Sequence, residues 1–157
     1  MLGLFKSQPH DDATLGRFVR SRGLWRGTIN LDDKAAIALV TAGSRTAPDP
    51  NALDIARNFP VFLNQLRPAI EHELFEHCLP YLEAIRSGEL PEPERADILG
   101  IAKPEDTWAF IEQKAVAIRP FFGALTAELA LTSAWDEEHT LGVYIRDGRL
   151  IEFNGSI

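Results

Sequence analysis

The C-terminal stretch, residues 124–157, constrains the fold more than any other part of the chain. Apolar and polar residues alternate along it, and a period of two is typical of a strand with one buried face. The buried set comprises Leu125, Ala127, Leu129, Leu131, Trp135, Leu141, Val143 and Ile145, and the opposite parity carries Thr126, Glu128 and Thr132. The alternation therefore predicts consecutive antiparallel strands.

Asp147 and Gly148 interrupt this pattern with residues that tolerate positive φ, which predicts a hairpin turn. A two-residue loop would place Val143 opposite Glu152. A three-residue loop over 146–148 would place Val143 opposite Ile151 and keep the apolar residues on one face. We therefore predict the three-residue loop.

The densest polar cluster of the chain follows Trp135 and comprises Asp136, Glu137, Glu138 and His139. The strand pattern places it in the connection between two strands, at the rim of the sheet. A carboxylate beside a histidine can transfer protons or bind a divalent cation. Asp136, Glu138 and His139 are therefore the candidate catalytic residues. The alternative is structural, with Asp136 accepting hydrogen bonds from loop amides and His139 pairing with a carboxylate.

The length of 157 residues suits one compact domain, and a 45% apolar and 25% charged composition is ordinary for a globular protein. We expect residues 1–12 to be a flexible arm and 13–157 to be a single α+β domain. The spacing of Leu15, Phe18 and Val19 predicts a short helix from Asp11 or Asp12 to about Gly23.

Strand signals follow in residues 25–31 and 36–41, separated by a turn at Asp32 and Asp33, and predict a first hairpin. Asp49 and Pro50 predict a helix start, and apolar residues then recur at three and four as far as about Arg86. Three prolines at positions 60, 68 and 80 predict breaks or kinks near Phe59 and Arg67 and a milder bend near Leu79.

A further short helix is predicted at Pro104 and a strand over 114–119, so the order is hairpin, helices and a four-stranded meander. Such an order is typical of an α+β fold with an antiparallel sheet, formed by the N-terminal hairpin and the C-terminal meander, packed against a central helical block.

The formal net charge of −7 repels nucleic acid and suits a basic protein partner. The arginines at 17, 20, 22 and 26 could form an anion-binding patch, but in an acidic chain they are more readily a solvated face. Without a visible secretion signal or membrane span, and with Cys78 as the single cysteine, a cytoplasmic protein is expected. Cys78 lies on the apolar stripe, which favours a core position over a nucleophile.

Residues 71–77, EHELFEH, resemble a helical zinc motif only superficially, because His72 and His77 are five apart and would diverge by about 140° on a helix. Surface pairing of His72 with Glu76 and of Glu73 with His77 is the expected alternative. No metal site, cofactor site or dinucleotide fingerprint is predicted.

Residues 135–142, WDEEHTLG, with Asp147 and Gly148 after them, resemble the closing strands of bacterial families of domains of unknown function, which carry a W-D-x-E-H-x-L-G-like signature and a D-G hairpin. The segments 25–31, WRGTINL, and 104–108, PEDTW, fit the same pattern. Related sequences often have glycine where this chain has Thr140. The resemblance implies an α+β fold and, for some members, a role as an immunity or accessory protein near toxin genes.

The first functional hypothesis is thus a non-catalytic cytoplasmic module that binds another protein, with homo-oligomers also conceivable. The alternative is a metal-dependent or acid/base hydrolase in which His139 is the base and Glu138 or Asp136 is a ligand or orienting group. This alternative expects a pocket at the sheet rim where His72 or His77 approaches His139.

Overall fold

The computed structural model describes residues 6–32 and 35–155 of the chain. Within these ranges the strands are β1 (His10–Asp12), β2 (Gly16–Ser21), β3 (Leu24–Ile29), β4 (Ile37–Thr41), β5 (Ile111–Phe121), β6 (Ala124–Ser133), β7 (Asp136–Arg146) and β8 (Arg149–Gly155). A long helix, α1 (Pro50–Arg86), and two 3₁₀ helices (Ala96–Gly100 and Pro104–Phe110) lie between β4 and β5. The eight strands form a mostly antiparallel sheet in chain order, packed against α1, which confirms the α+β prediction and the C-terminal meander.

One strand pair departs from the antiparallel pattern. β4 and β5 are parallel, with Leu39 beside Val116 and Thr41 beside Ile118. Parallel neighbours need a crossover connection, and α1 with the two 3₁₀ helices supplies it here. The expectation of a purely antiparallel sheet is therefore wrong at this pair.

The chain divides into two compact units, and the first combines the described residues up to Leu63 with Ala115–Glu128. In this unit the helix predicted over residues 12–23 is wrong. β2 is a strand that buries Phe18 and leaves Val19 half exposed, and a two-residue turn at Arg22 and Gly23, both with positive φ, joins it to β3. A segment of six residues can match both the helical period of 3.6 and the strand period of two. The turn at Arg22 and Gly23 favours the strand.

Asp12 illustrates the same correction. Instead of capping a helix, its carboxylate accepts hydrogen bonds from the backbone N–H groups of Thr14 and Leu15 in the turn between β1 and β2. Arg57 of α1 also binds it. His10–Asp12, the end of the expected arm, thus pairs with β2, and residues 1–5 lie outside the described ranges.

Helix α1 begins as predicted. Asp49 caps it by accepting hydrogen bonds from the N–H groups of Asn51 and Ala52, and the helix ends at Arg86. The predicted breaks are wrong, because one helix runs through all three prolines. Pro68 and Pro80 are exposed, so water can reach the carbonyl groups that their rings leave unpaired. None of the helices in the described residues is long and apolar enough to span a membrane.

The second unit combines Asn64–Lys114 with the described residues from Leu129 onward, and there the predicted buried parity is confirmed, since Leu129, Leu131, Leu141 and Val143 are fully buried. At the start of β6 the predicted parity is wrong, because Thr126 is fully buried and Leu125 is only partly buried. The register predicted for the last hairpin is wrong. Asp147 and Gly148 form a two-residue turn, both with positive φ, and Arg146 pairs with Arg149.

A β-bulge then restores the apolar face. Ile145 pairs with Leu150 and Tyr144 with Glu152, so that Ile151 is the inserted residue and lies 40% exposed. Val143 consequently pairs with Phe153. One extra residue is needed in this hairpin to keep the apolar side chains of β7 and β8 on one face. The prediction placed this residue in the loop, whereas the structure places it in β8 as a bulge.

Candidate binding site at the start of β7

The polar cluster begins β7 rather than occupying a loop, because the connection between β6 and β7 is only Ala134 and Trp135. The N–H group of Ala134 donates to the carbonyl oxygen of Phe110 at 2.9 Å, which ties the turn to the end of the second 3₁₀ helix. The expectation that residues 136–139 lie in the connection is wrong, since the turn is shorter than the polar run. The cluster still lies at a strand end.

Trp135 anchors this strand end to α1. Its side chain is buried, and Nε1–H donates to Nδ1 of His77 at 3.0 Å. An indole nitrogen can only donate, so Nδ1 of His77 is an acceptor and the proton of the neutral ring is on Nε2. Burial lowers the pKa of His77, which favours this neutral form.

Asp136 is the centre of a hydrogen-bonded chain. The hydroxyl of Tyr81 donates to Oδ2 at 2.7 Å, and Nδ1 of His139 lies 2.8 Å from Oδ1. Only 8% of the Asp136 residue is exposed. Burial acts to raise the pKa of Asp136, but the hydrogen bonds from Tyr81 and His139 outweigh it and hold the pKa below its ordinary value. The same hydrogen bond raises the pKa of Tyr81 to about 12, so the phenol stays a donor.

His139 is the outward member of the chain, with 60% of its side chain exposed. The hydrogen bond to Asp136 raises the pKa of His139, and the charge of Glu138 adds to this effect. An aspartate that fixes one imidazole nitrogen leaves the other nitrogen oriented for binding or proton transfer. The cluster can therefore present an oriented imidazole to solvent.

A cavity of about 390 Å³ opens beside this chain and is called the acidic cleft below. Its apolar wall consists of Ile85, Leu90, Pro91, Pro93, Ala134 and Trp135, its polar wall of Tyr81, Asp136 and His139, and its remaining acids are Glu92, Glu94, Glu137 and Glu138. The volume is in the range of small-ligand pockets. Five carboxylates against one histidine make the cleft selective for positive charge.

The cleft has few side chains that could act as nucleophiles in covalent catalysis. The residues that line it include no serine, threonine or cysteine. Cys78 is fully buried, and burial raises the pKa of its thiol to about 11, as expected for a core cysteine. Across residues 6–32 and 35–155, no group of three or more histidine, cysteine, aspartate or glutamate side chains could hold a metal ion.

The structure thus brings Asp136 and His139 together and places exposed Glu138 in the lining of the same cleft. His77 reaches the cluster through Trp135, whereas His72 is an exposed helix residue. The surface pairs predicted for the helix are wrong: in the described part of the chain, no ion pair joins His72 to Glu76 or Glu73 to His77.

Sequence reasoning missed Tyr81 altogether. The available signal was its position four residues after His77, which places both side chains on one helical face, with their rings 5.5 Å apart. Asp136 and His139 are three apart, and a regular strand would direct them to opposite faces, so strand periodicity does not predict their contact.

Comparison with known proteins identifies the family of the chain. No curated protein and no solved structure matches the chain significantly. The profile of a family described as a domain of unknown function, DUF6985, matches residues 15–156, from the end of the β1–β2 turn to the end of β8. The chain therefore belongs to the DUF6985 family.

Proposed function

We propose that the protein is a non-catalytic cytoplasmic module that binds a basic segment of another protein in the acidic cleft, in the manner of an accessory or immunity protein. The observation that supports this proposal most directly is the composition of the cleft walls. Apolar side chains face a rim of carboxylates, and a partner segment with a large apolar residue beside lysine or arginine would satisfy both.

The segment 90–94, LPEPE, supports the same proposal. Pro91 and Pro93 restrict φ, so the backbone that carries Glu92 and Glu94 loses little conformational freedom on binding. Leu90 is 40% exposed and offers an apolar contact next to these acids. The net charge of −7 would also attract a basic partner over longer distances.

Binding of synthetic peptides to the full chain tests the proposal. A peptide that alternates lysine with leucine should bind, a glutamate and leucine peptide of equal length should not, and the affinity should fall with salt. Glu92→Lys should weaken binding about tenfold. Glu105→Lys is the matched control, because Glu105 is also exposed and also follows a proline but does not line the cleft. Equal affinity in the two variants would contradict the proposal.

A second copy of the chain is the competing occupant. Sedimentation velocity over a range of concentrations separates the two cases. A dimer that forms at micromolar concentration and is lost in Glu92→Lys but not in Glu105→Lys would assign the cleft to self-association. A monomer that binds the lysine and leucine peptide supports the partner proposal.

Acid–base catalysis by His139 is a second candidate function, favoured by the 2.8 Å contact between His139 and Asp136. Asp136 would orient the imidazole, and His139 would activate a water molecule. Turnover of ester and phosphodiester substrates should then disappear in His139→Ala and persist in His72→Ala, which alters an exposed histidine on α1. A purified chain without turnover on any of these substrates eliminates this candidate.

A further inference from the structure

The strands β2, β3 and β4 carry an exposed basic surface on the side of the sheet away from the core. Their register fixes which residues share this side, because Val19 lies opposite Arg26 and Arg26 lies opposite Val40. Arg17, two residues before Val19 in β2, shares it as well. The arginine face is defined as Arg17, Val19, Arg26, Ala38 and Val40. The other side of the same strands buries the core residues Phe18, Trp25 and Leu39.

The two arginines of this face have no acidic partner. Both are exposed, and in the described part of the chain their side chains make no ion pair or hydrogen bond. The sequences of β2, β3 and β4 contain no aspartate or glutamate, and Asp11 of β1 lies opposite Arg17 without an ion pair between them. Arg57 of α1, in contrast, contacts two aspartates. The positive charge of the arginine face is therefore available to a partner.

The formal charge of the first unit is opposite in sign to that of the whole chain. Residues 1–63 and 115–128, which span this unit, include nine lysine and arginine residues against seven aspartate and glutamate residues, a charge of +2. The whole chain carries −7, so the second unit carries −9. Charges of the two signs are thus segregated, and charge complementarity favours an acidic partner for the arginine face.

The apolar part of the arginine face favours a protein partner over nucleic acid. Val19 is 50% exposed beside Arg26, and exposed Ala38 and partly buried Val40 continue the aliphatic surface on β4. Single-stranded nucleic acid is commonly bound by aromatic side chains that stack on bases, and none of the residues on this side of β2, β3 and β4 is aromatic. A twofold contact with the same face of a second copy would place arginine against arginine.

We propose that the arginine face docks an acidic amphipathic helix of another protein, with carboxylates and an aliphatic residue on one side of that helix. Two carboxylates contact Arg17 and Arg26, and the aliphatic residue contacts Val19. Opposite residues of neighbouring strands lie roughly 5 Å apart, and helix residues three or four apart lie roughly 5–6 Å apart, so the spacings match. The proposal does not rest on a partner in the acidic cleft, because residues of the second unit line that cleft.

Binding of a synthetic helical peptide to the full chain tests this inference. The peptide has about 15 residues, with glutamate and leucine on one side of the helix and glutamine elsewhere. It should bind, and its affinity should fall with salt. Replacement of its glutamates by glutamine should weaken binding at least tenfold. A peptide that alternates glutamate with leucine should not bind, because an extended chain directs the two residue types to opposite sides. No binding by the helical peptide, or equal binding by its glutamine version, would overturn the proposal.

Four variants locate the docking surface. Arg17→Glu and Arg26→Glu should each weaken binding about tenfold, and Val19→Thr, which keeps the shape of the side chain, about threefold. Arg45→Glu is the matched control, since Arg45 is also exposed, belongs to the same unit and has no ion pair within the described residues, but lies between β4 and α1. It should leave binding nearly unchanged. Equal weakening by Arg26→Glu and Arg45→Glu would reduce the effect to net charge and overturn the docking assignment.

Two competing occupants have separate measurements. Single-stranded or double-stranded DNA that binds and is lost in Arg26→Glu, without binding of the helical peptide, would assign the arginine face to nucleic acid and overturn the proposal. A dimer in sedimentation velocity that is lost in Arg26→Glu but not in Arg45→Glu would assign the face to a second copy and also overturn it. Because this test uses an acidic peptide and variants of the first unit, its failure is distinguishable from a failure of basic peptides to bind the acidic cleft.

Discussion

Two aspartates with largely inaccessible side chains, one in each compact unit, have lowered pKa values for different structural reasons. Asp12 accepts hydrogen bonds from the guanidinium of Arg57 and from two backbone N–H groups, and these contacts lower its pKa to about 2. Asp136 forms hydrogen bonds with the phenol of Tyr81 and the imidazole of His139. These hydrogen bonds lower its pKa, although burial acts strongly to raise it. The partners of Asp12 hold a turn and a helix in place, whereas those of Asp136 border a cavity and include an exposed histidine. A lowered carboxyl pKa therefore marks a well-partnered group, and the partners distinguish a structural pair from a candidate site.

The largest expected difference between the two aspartates is in acid stability. The folded pKa of Asp12 is about 2 and its ordinary value is 3.8, so its contribution to stability is present above pH 4 and is lost as the pH falls toward 2. Asp12→Asn should lower the free energy of unfolding at pH 7 by about 1–2 kcal/mol, after allowance for the partly exposed Arg57. Denaturant titrations of both proteins between pH 7 and 2 measure this, and an undiminished difference at pH 2 would contradict the ion-pair explanation.

A smaller effect is expected for Tyr81→Phe, which removes one hydrogen bond to Asp136. The free energy of unfolding should fall by about 0.5–1 kcal/mol, since Tyr81 is partly solvent-accessible. In a double-mutant cycle this change should be coupled to Asp136→Asn and additive with Asp12→Asn, because Tyr81 shares no partner with Asp12. Additivity with Asp136→Asn would show that the Tyr81 hydrogen bond gains nothing from the charge of Asp136.

The smallest effect concerns the titration of His139. Its folded pKa is raised, so the contribution of its charged form to stability is present below the ordinary histidine pKa and is lost as the pH rises through the folded value. In Asp136→Asn the pKa of His139 should move down toward 6.5, while Asp12→Asn should leave it unchanged. Histidine side-chain NMR over pH 5 to 9 measures both. A His139 pKa that is equal in wild type and Asp136→Asn would place the imidazole away from the carboxylate in solution.

Local patterns predicted much of this fold, because several elements carry their own signals. The cap at Asp49, the end of α1 and the buried parity of Leu129, Leu131 and Val143 can all be read from neighbouring residues. The same local reasoning failed at β2, where a six-residue strand is too short to distinguish the two periods. It failed again within α1, where a continuous apolar stripe outweighs the cost of the prolines.

The candidate site was only half predictable. Asp136 and His139 are near neighbours in sequence and drew attention as a polar cluster. Tyr81 donates to Asp136 and Trp135 donates to His77, in each case across more than 50 residues of chain, so these hydrogen bonds depend on how the helix lies on the strands.

The bulge at Ile151 has a consequence for how the last hairpin tolerates changes in length. Because Tyr144 already pairs with Glu152, removal of Ile151 would leave every other pairing of β7 with β8 intact and would convert an irregular ladder into a regular one. Loss of one residue from the Asp147 and Gly148 turn would instead shift the whole strand. Natural variation in chain length among related hairpins should therefore accumulate at this single surplus residue and spare the turn.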